Sequence, residues 1–225
     1  MKLARLFRNI KMPSMVREYA QCMRPATDIS PEKHVQLLKM THERLMYSFS
    51  AMPFVATFAA LFYGNTHDIK WMAVWALGYC IAYFFSKQRI SQFTHDELTM
   101  TASNLLAVWH PRLLRLATLH GLALCAPFVL TAADPSFEFT TLWYLVVAAI
   151  IAGNATHQTP VLDIFVRFFN CSWNLATLLS VIAYPNHWQF IAPMILMYTA
   201  GIYRHALMAH KFFYNKYALK KAVCA

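Results

Sequence analysis

Acidic side chains and glycine are the scarce components of this chain. Ten Asp and Glu stand against 20 Lys and Arg, and only five Gly occur in 225 residues. Charged residues total 13%, where a water-soluble domain carries about a quarter. So few glycines leave little scope for a phosphate-cradling loop, and no GxGxxG, GxxxxGK[ST] or GxSxG run is found. HExxH is missing too. Cys22, Cys80, Cys125, Cys171 and Cys224 show no CxxC spacing, so no disulfide framework is indicated. No apolar run follows the first basic residues, which argues against a cleavable signal peptide. These absences point away from an enzyme, with no cofactor and no metal centre expected.

Apolar sequence is what the chain has in quantity: hydrophobic residues make up 58% of it. They gather in six stretches, roughly Leu45–Tyr63, Ile69–Ser86, Leu113–Ala132, Phe139–Gly153, Ile164–Tyr184 and Trp188–Leu207. Their lengths approach the ~20 residues that cross ~30 Å of hydrocarbon as a helix. The runs are continuously apolar and do not alternate, which argues against strands. Six uniformly apolar helices would have no polar face to show to water. The expectation is an all-α polytopic membrane protein, a bundle of six transmembrane helices. Cys80, Cys125 and Cys171 fall inside these stretches, where a thiol behaves as a small apolar residue.

The basic residues give the bundle a direction. Nine precede the first stretch: Lys2, Arg5, Arg8, Lys11, Arg17, Arg24, Lys33, Lys39 and Arg44. Four flank the second connection (Lys87, Arg89, Arg112, Arg115), Arg167 lies in the fourth, and five close the chain (Arg204, Lys211, Lys216, Lys220, Lys221). Only Lys70 falls on the other side, so nineteen of the 20 share one side. The positive-inside rule then places both termini in the cytoplasm. The net charge of +10 is thereby accounted for by topology and anionic head groups, and nucleic acid is not expected as a partner.

Three parts are expected along the chain. Residues 1–30 form a basic amphipathic interfacial segment and loop, residues 31–207 the six-helix domain, and residues 208–225 a cytoplasmic exit helix and tail. Lys2, Arg5, Arg8 and Lys11 recur every third position with Leu3, Leu6, Phe7 and Ile10 between them, giving a basic and an apolar face. An Arg-rich mitochondrial presequence has similar physics, so a mitochondrial inner membrane stands as the alternative to a cell inner membrane. Ser30 and Pro31 read as N-cap and first helical residue. Ser91–Pro111 reads as the longest internal loop, with Thr94-His95-Asp96-Glu97 its most polar point. Gly64–Asp68, Ala133–Glu138 and Pro185–His187 are short outer turns.

Polar groups within hydrocarbon are the default functional candidates. His120 is mid-stretch, Asn170 and Asn174 lie in the fifth stretch, Asn154 and His157 follow the fourth, and Arg167 stands one turn after Asp163, its expected ion partner. These six are the candidate ligand-binding residues. The competing account is interhelical hydrogen bonding, worth about 0.6 kcal/mol on average. A bis-His haem site needs facing histidines at similar depth, and only His120 is deep. His205 and His210 are five apart, about 140° around a helix, and share no face.

Several segments together resemble the N-terminal multi-helix membrane-associated sensor (MASE-type) modules of bacterial diguanylate cyclases and hybrid histidine kinases. These are Pro31-Glu32-Lys33-His34-Val35-Gln36-Leu37-Leu38, then Trp71, Ser86-Lys87-Gln88-Arg89, Val147–Gln158, and Tyr203-Arg204-His205-Ala206 with Phe212–Leu219. The resemblance covers most of residues 31–222, and its motifs are loose. It implies a sensor or regulatory module that signals through its last helix or a partner. The sequence has no GGDEF motif, kinase phosphoacceptor box or ATP-binding region. The expected partners are membrane lipids and either a second copy or a cytoplasmic signalling protein. The alternatives are a small transporter or channel and, behind it, a haem-binding redox subunit.

Overall fold

Ser30 takes an extended backbone (φ −62°, ψ 149°) and Pro31 follows as the first helical residue, so the first helix starts where the Ser-Pro pattern predicts. The Ser30 side chain makes no cap; its carbonyl accepts from the Lys33 and His34 N–H groups, each at 3.1 Å. The computed structural model describes residues 30–183 and 188–223. Among these the chain is all helix, without strands. The helices are α1 (Pro31–Gly64), α2 (Lys70–Thr99), α3 (Ala102–Leu130), α4 (Phe137–His157), α5 (Leu162–Phe169), a π-helical turn (Asn170–Asn174), α6 (Leu175–Ala183) and α7 (Trp188–Val223). The expected interfacial helix, the loop before Ser30, the Pro185–His187 turn, Cys22 and Cys224 lie outside the described residues.

Among the described residues four segments are long and apolar enough to cross a membrane: α1, α3, most of α4 and the continuous α5–π–α6 rod. The apolar part of α2, Lys70–Phe85, is shorter. Large apolar side chains face outward along these helices. Phe54 is 80% exposed and Met197 76%, with Phe58, Leu77, Phe84, Leu145 and Ile182 also turned out. A surface of this kind suits lipid and not water.

One expectation is overturned. Ser91–Pro111 is not a loop: α2 continues to Thr99, and α3 begins at Ala102. The polar Asp96 and Glu97 are consumed by tertiary contacts. Trp109 Nε1 donates to Asp96 Oδ2 at 2.9 Å, and Lys39 Nζ pairs with Glu97 Oε2 at 2.8 Å. Charged side chains whose partners lie on other elements can continue a helix beyond its apolar stretch.

Helix α3 is the hub, packing on α1, α2, α4, α5, the π turn and α6. Gly121 allows the closest of these approaches. A Cβ there would lie 2.8 Å from both Cys171 Cβ and the Phe168 carbonyl oxygen. Ala117, one turn earlier and fully buried, extends this small-residue seam. The π turn leaves carbonyls without their usual helical donors. Ser172 Oγ donates to Phe168 O at 2.8 Å, and Cys125 Sγ lies 3.6 Å from Ser172 O.

A second backbone break sits within α3. Pro127 has no N–H and displaces the carbonyl four residues earlier, at Ala123. Trp75 Nε1 of α2 donates to that carbonyl at 2.8 Å, and Trp143 Nε1 of α4 donates to the next one, Leu124 O, at 3.0 Å. The two indoles meet edge to face at 5.2 Å. Trp75→Phe should therefore leave a buried carbonyl unpaired and lower stability by about 1–3 kcal/mol. Pro127→Ala restores the helical N–H, so the loss should be much smaller in that background. Thermal unfolding of the four proteins in detergent checks this; additive effects would refute the coupling.

Candidate functional site

The six sequence candidates do not form one site. His120 is 1% exposed in the interior of α3, walled by the rings of Phe49 (5.0 Å), Phe168 (5.2 Å) and Tyr79 (6.1 Å). Neither ring nitrogen has a hydrogen-bond partner, and neither does the buried Tyr79 hydroxyl. Asn170 and Asn174 face outward from the π turn, bonded to each other at 2.7 Å, with the Tyr203 hydroxyl donating to Asn170 Oδ1 at 3.0 Å. Arg167 is exposed. Its expected partner Asp163 instead meets His110 of α3 at 2.8 Å, because the α3–α5 packing brings that imidazole to the carboxylate. His157 lies on α4, but its side chain is outside the described ones.

Asn154 alone leads to a concentration of polar groups. It is 1% exposed on α4 with an unpartnered Nδ2. Gln158, one turn on, is fully buried with neither amide atom bonded, and Thr159 Oγ1 is likewise buried and unpartnered. The α4–α5 connection that carries them also receives α7: His210 Nδ1 lies 2.9 Å from the Thr159 carbonyl oxygen and donates to it. His34 of α1 is close enough to feel the charges of His110, Asp163 and His210. Arg44 of α1 lies over the Phe213 ring of α7 at 5.1 Å. Four elements thus converge on one carboxylate and three imidazoles, just outside the apolar stretches. Among the described residues no group of three or more His, Cys, Asp or Glu is placed to hold a metal ion.

No family model, curated protein or solved structure matches this chain. The site is therefore read from its own geometry. His34, His110 and His210 are not among the sequence candidates, and Asp163 enters there only as the expected partner of Arg167. One signal was available: Asn154 and Gln158 are four apart and share a helix face.

The carboxylate distributes protons unequally among the imidazoles. The hydrogen bond to Asp163, helped by its charge, raises the His110 value above the ordinary one for histidine. Burial lowers His210, opposed by its bond to the Thr159 carbonyl. Burial also lowers His34, and the neighbouring His110 lowers it further. His110 accordingly takes the first proton. Its contribution to stability is full below the unfolded value of about 6.5 and fades as pH rises through its raised folded value. His34 and His210 act in the opposite sense, costing stability as pH falls below about 6.5. Asp163→Asn should therefore destabilise most at acidic pH, with the difference from the parent shrinking as pH rises. Thermal midpoints across about pH 5.5–8.5 check this, the window bracketing histidine's usual range. A pH-independent difference would contradict it.

Proposed function

We propose that this chain is an integral membrane sensor or regulatory module of bacterial type, spanning an inner membrane six times with both termini in the cytoplasm. It passes a signal to a cytoplasmic output through its last helix. The observation that carries this reading is the anchorage of α7. That helix runs unbroken from Trp188 to Val223, past its apolar part, and is held at the polar junction by His210 on the Thr159 carbonyl and by Arg44 over Phe213. A change at the junction, such as protonation or ligand entry beside Gln158, alters the contacts that set the position of α7. The differential contact needed for a switch is therefore available. The charge pattern and the MASE-type resemblance support the same reading. The closed ring wall around His120 favours a sealed bundle over a transport path.

Two measurements test the proposal. Reporter fusions that are active only outside the cytoplasm should be active when joined near His67 or Ala133 and inactive near Thr99 or Tyr214. A photo-crosslinker at Phe212, which is 63% exposed, should capture a signalling protein or a second copy of this chain in native membranes. Capture of neither, with the fusions behaving as expected, would overturn the signalling role while leaving the topology intact.

A further inference from the structure

A cavity of about 510 Å3 lies between α1, α2 and α3, separate from the polar junction. Its lining divides sharply. Arg89, Arg112 and Arg115 supply three guanidinium groups, while Met46, Leu113, Leu116 and Leu119 supply an apolar wall. Arg112, Arg115, Leu116 and Leu119 recur at helical spacing on one face of α3, basic where its apolar stretch begins and apolar further in. Leu119 is 64% exposed, so the apolar end of this stripe continues onto the outer surface of the bundle.

The cationic groups are only partly neutralised. Arg112 lies over the Trp109 ring at 5.0 Å, with Asp96 Oδ2 3.9 Å away. Arg89 bonds Gln92 Oε1 at 3.1 Å, and Arg115 Nε reaches the Pro111 carbonyl at 3.4 Å. Among the described residues no carboxylate pairs with either of these two. A second feature points inward. His42, which lines the cavity, is 2% exposed, and its Nε2 is buried without a hydrogen-bond partner. Its ring is fixed by stacking on Phe93 at 4.6 Å and by the edge contact with Trp109 at 5.7 Å.

We propose that this cavity binds an anionic glycerophospholipid, with its phosphate among Arg89, Arg112 and Arg115 and an acyl chain along Leu116 and Leu119. Guanidinium groups suit phosphate oxygens through paired N–H donors. The apolar stripe leading to the outer surface selects a lipid over a small soluble anion. The cavity volume is also within the range of about 300–1,000 Å3 usual for ligand sites. Three arginines beside an apolar stripe define one site for one lipid, beyond the general attraction of basic residues to head groups.

The test uses the purified full chain, delipidated in a zwitterionic detergent. Phosphatidylglycerol, phosphatidylcholine and inorganic phosphate are each titrated while native mass spectrometry and the thermal midpoint are recorded. Phosphatidylglycerol should bind about one per chain and raise the midpoint, with little effect from the other two. In the double variant Arg89→Gln, Arg115→Gln, phosphatidylglycerol affinity should fall about tenfold or more. Its lipid-free midpoint should be unchanged, since both side chains are exposed. Arg204→Gln, an exposed arginine outside the cavity, should bind like the parent. Equal stabilisation by phosphatidylcholine would overturn the proposal in favour of general solvation by lipid. An inorganic phosphate effect equal to that of the lipid, or undiminished binding in the double variant, would overturn it as well.

Discussion

A backbone carbonyl without a donor is costly in an apolar interior, and Pro127 creates one in α3, the helix against which most of the others pack. The indole N–H of Trp75 takes the Ala123 carbonyl, and that of Trp143 takes its neighbour at Leu124. Each indole brings its own helix to the break, so satisfying the backbone and assembling α2, α3 and α4 are one event. Their edge-to-face contact then joins the two donors. On the far side of α3, Gly121 sets the distance to the π turn, and Ser172 and Cys125 approach the carbonyls that turn displaces. Polar backbone groups thus guide the packing where apolar side chains, facing neighbours and exterior alike, discriminate poorly.

The same constraint explains where the ionisable groups collect. His110, Asp163, His34 and His210 lie outside the apolar stretches, where charge can be shared among several elements. Asp163 favours a proton on His110, while burial disfavours one on His34 and His210. The resulting junction joins α1, α3, α5 and α7 through contacts sensitive to protonation, whereas the interior His120 is enclosed by rings. A device that moves α7 would act at the junction more readily than in the packed interior.

Much of the fold was legible in composition and periodicity. The start of α1 at Ser30-Pro31 was visible because cap and proline effects are local. The helix that replaced the expected loop at Ser91–Pro111 was not. Asp96 and Glu97 read as solvated when taken alone, and only Trp109 and Lys39, from other helices, show why they belong to packed structure. The candidate site was legible in part. Asn154 stands out as polar near an apolar helix, and it lies one turn before the buried Gln158. Asn170 and Asn174 were chosen by the same rule yet face outward, because the rule carries no information about direction around the helix axis.

The sequence by itself determined the helical class and the apolar stretches. It also carries the spacing of basic residues on which the proposed six-span topology rests, since these follow from local composition and order. Tertiary structure alone decided that Asp163 meets His110 instead of Arg167, that His210 reaches the Thr159 carbonyl, and that Arg89 joins Arg112 and Arg115 in the lining of one cavity. Those pairings join residues remote in the chain. They depend on how each helix is rotated and how closely it approaches α3, quantities set by Gly121, the π turn and the carbonyl freed at Pro127.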